Sequence, residues 1–147
     1  RTTVMVGFPG ESGEDFDALL DFLAEAQFDW LGAFPYSAEE DTRAADFPDQ
    51  VDEETKQQRL DAVMLQASEI TARRLRRFIG RKIQVLAEAP APEMGAGWFC
   101  GRSAYQAPEV DGVVYFAPRA GEEILAGSLY PVEIMDIDLY DMMGEVR

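Results

Sequence analysis

The sequence predicts an α/β segment followed by an all-β domain. Three observations carry that expectation: a β–loop–α–β pattern over residues 2–34, one long helical stripe of apolar residues from about Asp52 to Ile79, and short apolar runs broken by turn residues after Gly80. The change of character near Gly80 divides the chain into residues 1–79 and residues 80–147.

Thr2–Gly7 is short, β-branched and largely apolar, as a strand buried on both faces would be. Phe8-Pro9-Gly10-Glu11 turns the chain, and Ser12 with Asp15 matches a loose capping box. Phe16, Leu19, Leu20 and Leu23 follow at the spacing of one helical face, which Phe22 widens. Phe28–Phe34 reads as a second strand. A crossover of that length implies a parallel pair in an α/β sheet.

A loop then runs from Pro35 to Pro48. In the helix beyond it, Leu60, Val63, Met64, Ala67, Ile70, Leu75 and Phe78 make one stripe. Glu53 and Glu54 near its start, Arg73, Arg74, Arg76 and Arg77 near its end, and Gly80 just beyond suit a helix dipole and a glycine cap. The arginine cluster could instead be a nucleic-acid patch. The last part offers strands at Lys82–Ala87, Gly97–Arg102, Val113–Phe116, Ser128–Met135 and Leu139–Val146, a spacing that predicts a small antiparallel barrel of five strands.

Composition narrows the chemistry. With one cysteine (Cys100) and no histidine, these 147 residues cannot build an iron–sulfur or zinc site of the usual kind. A lone cysteine fits a reducing compartment, and acid–base work would fall to carboxylates, lysine or tyrosine. The net charge is −15, with 17 acidic and 8 basic side chains in residues 1–79 and 11 and 5 in residues 80–147. Such a surface repels phosphate backbones and attracts basic partners, although solubility alone is the simpler account of it. No apolar run has the length of a membrane span. Arg1 leads at once into a strand-like run, so the chain is expected to be a piece of something longer.

Three segments are candidates for binding. Val6-Gly7-Phe8-Pro9-Gly10-Glu11 and Pro35-Tyr36-Ser37 lie at the carboxyl ends of neighbouring parallel strands, where ligands of α/β folds bind; either could equally be a plain turn. Gly101–Val114 is a strand end, an acidic loop and an Asp-Gly turn. Glu39, Glu40 and Asp41, or Asp136, Asp138 and Asp141, could be read as hard-metal clusters, although solvent-facing charge is the simpler account. Met135, Met142, Met143 and Cys100 read as core filling.

Together the segments resemble a known family. Thr-Thr-Val-Met-Val-Gly-Phe-Pro-Gly-Glu, Asp-Phe in the next helix and Phe-Pro-Tyr-Ser are similar to the later part of the radical S-adenosylmethionine barrel of methylthiotransferases. Gly-Arg-Ser…Ala-Pro-Glu-Val-Asp-Gly-Val-Val and Leu-Tyr-Asp-Met-Met-Gly-Glu-Val resemble their closing TRAM domain, in the form that modifies an aspartate of the twelfth protein of the small ribosomal subunit. The resemblance implies the last β/α units of a partial TIM-like barrel, a linking helix and a five-stranded, antiparallel, OB-like barrel.

It also implies S-adenosylmethionine and two 4Fe-4S clusters in the full-length enzyme, with the cluster cysteines upstream, so that no catalytic or metal-binding residue is expected here and this piece alone is expected to be inactive. Gly7, Pro9, Gly10, Glu11, Phe34 and Tyr36 match positions lining the cofactor side; Arg102, Glu109 and Asp111 match a substrate-docking loop. The implied partner is a basic ribosomal protein in the cytoplasm, without direct nucleic-acid or membrane contact. A transfer-RNA-modifying relative and a non-catalytic binding module are the alternatives. One departure stands out: Asp41-Thr42-Arg43-Ala44-Ala45 replaces the family's Gly-Thr-Pro-Ala-Ala, so the turn that proline and glycine would fix is not set by sequence here.

Overall fold

The computed structural model describes residues 1–147, which form two compact units, Arg1–Thr71 and Ala72–Arg147. In the first unit, β1 (Thr2–Val6) and β2 (Leu31–Pro35) pair in parallel, from Thr2 opposite Leu31 to Val6 opposite Pro35. The crossover is α1 (Gly13–Ala26). Ser12 caps it as the sequence indicates: its hydroxyl accepts from the Asp15 N–H (3.1 Å), and the Asp15 carboxylate accepts from the Ser12 N–H (2.9 Å). α2 (Glu53–Leu75) begins in this unit and carries the chain into the second.

The core here is Val6, Leu23 and Val63, with Val4, Phe16, Leu19, Leu20, Phe28, Leu31, Ala33 and Leu60 packed around it. Phe22 lies outside, half exposed, its ring tilted on Phe28 at 6.0 Å. β2 starts three residues later than the apolar run suggests. Gln27 closes α1 in the left-handed region (φ 51°), and the chain extends only after Trp30, whose carbonyl accepts from the Thr2 N–H. α2 likewise stops before Ile79, giving way to a 3-10 turn over Arg76–Phe78.

The second unit is a closed barrel of β3 (Lys82–Pro90), β4 (Phe99–Ser103), β5 (Val114–Ala117), β6 (Leu129–Asp138) and β7 (Asp141–Val146), in the order β3-β4-β5-β7-β6. It is mixed, not antiparallel: β5 and β7 run parallel. The reason is parity. A closed ring of five strands cannot alternate direction at every step, so one neighbouring pair must run the same way. The other four pairs are antiparallel.

Inward residues alternate along the staves, with Val85, Val114, Phe116, Val132, Ile134 and Met142 fully buried. Of the expected core methionines, Met142 is inside and Met143 half-buried. Met135 is exposed: it follows the inward Ile134 on β6, so alternation itself places it on the outer face. Cys100 is half-buried, opposite Tyr115. Gly144 lies opposite both Phe116 and Ile134, where a Cβ would collide with the Glu133 carbonyl and press on Val132. No helix is long and apolar enough to cross a membrane.

Gly144→Ala is expected to lower the stability of the second unit by about 1–3 kcal/mol, the usual cost of overpacking. Urea unfolding read from Trp98, in a Trp30→Phe background, checks it. A second expectation concerns pH. Hydrogen bonds from Ser12, its side chain foremost, hold the Asp15 carboxyl below the ordinary 3.8, and those from Thr55, its backbone N–H foremost, do the same for Asp52 just before α2. Folding favours both charged forms. Their contribution is full above 3.8 and is lost as pH falls through the lowered values. The amide resonances of Asp15 and Thr55 should titrate with midpoints below 3.8.

Candidate functional site

The two strand-end segments come together through a few side chains. β1 ends at Val6, and Gly7 enters the left-handed region (φ 73°). The Glu11 side chain folds back so that both carboxylate oxygens accept from the Gly7 N–H (3.0 and 3.1 Å). Arg59 of α2 pairs with the same carboxylate, donates to the Glu11 carbonyl (3.1 Å) and lies over the Phe16 ring. Both side chains of that pair are only 13% exposed. The Glu11 charge is therefore spent within the turn. Gly10 donates to the Asp49 carbonyl (2.9 Å), and Pro9 is buried.

Past the end of β2, the Tyr36 N–H donates to the Val6 carbonyl (2.8 Å), adding one rung across the two strand ends. The Tyr36 ring meets Phe8 edge-on at 5.2 Å, and Phe8 meets Phe47 at 6.2 Å. Tyr36 is 7% exposed, and its buried Oη has no hydrogen-bond partner. Lys56 of α2 is 5% exposed; its Nζ lies 5.4 Å from the Tyr36 ring centre and 2.6 Å from Glu53, and its stem occupies the space a Gly7 Cβ would need. Phe34 stands apart from this group. It pairs with Met5 in register, and the two are 45% and 41% exposed on the face of the sheet turned away from the core.

Lys56, Arg59 and Phe47 were not among the residues read from sequence. A signal existed for the two cations. They sit in the first two turns of a helix, where the dipole disfavours positive charge, and with Arg1 and Arg43 they are the basic residues among 17 acidic ones in residues 1–71.

In the barrel, the three docking candidates have different surroundings. Arg102 on β4 pairs with Glu88 at 2.6 Å, beside the register shift between Ala87 and Ala89. Asp111 turns into its own loop, accepting from the Ala107 N–H at 2.7 Å. Glu109 is exposed at the loop tip with φ 61°. The base of the loop is tied by Asp141, which accepts from the Val113 N–H (2.8 Å), and by Gln106, which accepts from the Ser103 N–H and hydroxyl. Tyr105 lies on Phe78 at 4.9 Å. No group of three or more His, Cys, Asp or Glu side chains is arranged to hold a metal ion; Asp141 and Asp136 instead accept from backbone N–H groups.

Fold and sequence together define the second unit's class: residues 79–146 match the TRAM domain model. Over nearly its whole length the chain is also similar to proteins named ribosomal protein uS12 methylthiotransferase RimO. It is 47% identical to that of Synechococcus sp. (strain CC9605) over 147 residues, 99% of this chain and 32% of the relative. The figures for Moorella thermoacetica are 46%, 100% and 32%, and for Symbiobacterium thermophilum 43%, 99% and 30%. The chain thus spans about a third of the length of these relatives, and the likeness is that of the C-terminal part of a RimO-type methylthiotransferase.

Replacing either partner of the Glu11–Arg59 pair leaves the other charge mostly buried and unpaired. Arg59→Met and Glu11→Gln are each expected to cost the first unit about 2–3 kcal/mol, somewhat less than a fully buried pair. The double variant should cost clearly less than the two effects added. Urea unfolding read from Trp30 in a Trp98→Phe background checks both.

Proposed function

We propose that this chain is the C-terminal part of a radical S-adenosylmethionine methylthiotransferase that adds a methylthio group to the β-carbon of an aspartate in ribosomal protein uS12. The end-to-end similarity to proteins of that name carries the reading. A feature of the first unit supports it. Parallel sheets are covered on both faces, yet the β1–β2 pair leaves Met5 and Phe34 bare on one side. Further strands of a barrel would close over that face, with residues 1–79 completing its wall and residues 80–147 forming the TRAM domain.

The residues suit S-adenosylmethionine in one respect and not in another. The bare Phe34 and the unpartnered Tyr36 Oη suit a wall against which an adenosyl group could lie, whereas the space beside Gly7 is already filled by the Lys56 stem. Glu11 is taken up by Gly7 and Arg59, so its part is to shape the turn. For the clusters the residues do not fit: one cysteine and no histidine cannot supply their ligands, which the upstream region would provide. When bound, S-adenosylmethionine would supply the radical chemistry and the methyl group, and the second cluster would take part in delivering the sulfur. The chain's own work would be to line one side of the pocket and to hold the substrate protein in the cytoplasm.

The charge of the two compact units bears on the partner. Residues 1–71 carry 17 acidic and 4 basic side chains, and residues 72–147 carry 11 and 9. A basic ribosomal protein therefore finds its attraction in the first unit at least as much as in the TRAM loop with Arg102, Glu109 and Asp111. One observation favours a second reading, modification of transfer RNA: Arg73, Arg74, Arg76, Arg77, Arg81 and Lys82 follow one another with no acidic residue between Glu69 and Glu88.

The test uses the full-length protein with reductant and S-adenosylmethionine, offered uS12 and transfer RNA separately. Methylthiolation of a uS12 aspartate, seen by mass spectrometry, is the expected outcome, together with a Cys-x-x-x-Cys-x-x-Cys segment upstream of Arg1. Modification of transfer RNA alone would establish the second reading. Absence of the cysteine segment would end both enzyme readings in favour of a binding module. Iron and labile sulfide in the purified 147-residue chain would contradict the upstream placement of the clusters.

A further inference from the structure

We propose that Lys56 is a positioning residue for the cofactor wall: from the first turn of α2 it fixes both strand ends at once, its stem seated against Gly7 and its ammonium against the Tyr36 ring. The proposal rests on the pocket reading above and adds to it a residue that neither strand-end segment contains.

Lysine is among the residues least often buried, because its ammonium loses water that a single partner does not replace. Here the side chain is 5% exposed, and its partner Glu53 is a solvent-exposed carboxylate that a surface lysine could reach equally well. The ion pair alone therefore gives no reason for burial. What burial does secure is contact on two sides. The methylene stem fills the volume beside Gly7 that any other residue's Cβ would claim, and Nζ lies 5.4 Å from the centre of the Tyr36 ring, within cation–π range.

Those contacts fall on the residue after β1 and the residue after β2. The Tyr36 N–H is bonded to the Val6 carbonyl and the Gly7 N–H to Glu11, so the backbone on either side of Lys56 is already in one network. Arg59, one turn on, holds Glu11 from the same helix. Lys56 is itself placed by its N–H, which donates to the Asp52 carbonyl at 3.0 Å. Displacing the helix start would thus move both strand ends together. Catalytic sites lose activity on displacements of about 1 Å, even when the altered residue never touches the reacting groups.

The experiment compares full-length wild type with Lys56→Ala, which removes stem and charge, and Lys56→Met, which keeps an unbranched apolar stem. Hydrogen exchange at the Gly7 and Tyr36 amides is read beside kcat and the KM for S-adenosylmethionine. Lys56→Ala should speed exchange at both amides and raise that KM about tenfold, with kcat at saturating cofactor within about twofold of wild type. Lys56→Met should keep Gly7 exchange near wild type, loosen Tyr36 and raise KM less. Unchanged exchange at both amides in Lys56→Ala would overturn the proposal, as would faster exchange with an unchanged KM, or a fall in kcat alone. If Lys56→Ala does not fold, the split between Gly7 and Tyr36 in Lys56→Met decides. Wild-type enzyme that binds no S-adenosylmethionine would sink the pocket reading, and the exchange data would then judge the link between the strand ends by themselves.

Discussion

The first unit depends on a carboxylate that is kept out of solvent. An ionised side chain as enclosed as Glu11 is stable only when its oxygens are fully engaged, and two donors meet that demand, the Gly7 N–H and the Arg59 guanidinium. Once they do, the turn from β1 into α1 has one conformation, and α2 must lie where Arg59 can reach. Val63 and Leu60, on the same helix, then meet Val6 and Leu23 and complete the core. Polar and apolar contacts require the same placement of the helix, which is the consistency across levels expected of a uniquely folded chain.

Where a signal was local, the sequence could be read directly. Ser12 and Asp15 lie three residues apart, and their reciprocal bonds form as that spacing implies; Phe16, Leu19, Leu20 and Leu23 share the buried face of α1. The start of β2 was less legible, because Phe28 and Trp30 are as apolar as a strand residue and pack before the strand begins, Trp30 buried and Phe28 half-buried against the core of Val6, Leu23 and Val63. Contacts across some tens of residues were not legible at all. Nothing in the neighbourhood of Arg59 says that its partner stands 48 residues earlier.

The barrel teaches a different lesson. Five strands were countable from turn residues and alternation, but direction belongs to closure and not to any one strand. Asp136 shows the same limit on a smaller scale. Strict alternation from Val132 and Ile134 would turn it inward, and the register shift just before it leaves it exposed. In the site, Gly7, Glu11 and Tyr36 could be picked out by their place at strand ends. That Glu11 is taken up by Arg59 and that Tyr36 lies against Lys56 depended on partners from α2 that only the fold brings near.

The parallel contact between β5 and β7 also bears on how the chain is made. β7 is inserted between β5 and β6, so the free edge of β5 has no partner until the residues that follow β6, from Asp141 on, have been synthesised. During translation, β3, β4 and β5 can form a meander, and β6 can add to β3, yet the two outer edges stay open. Such edges recruit other strands. A nascent chain stalled before Asp141 would carry a gapped sheet with two adhesive borders, and the last hairpin acts as the stave that seals the barrel against its neighbours on the polysome.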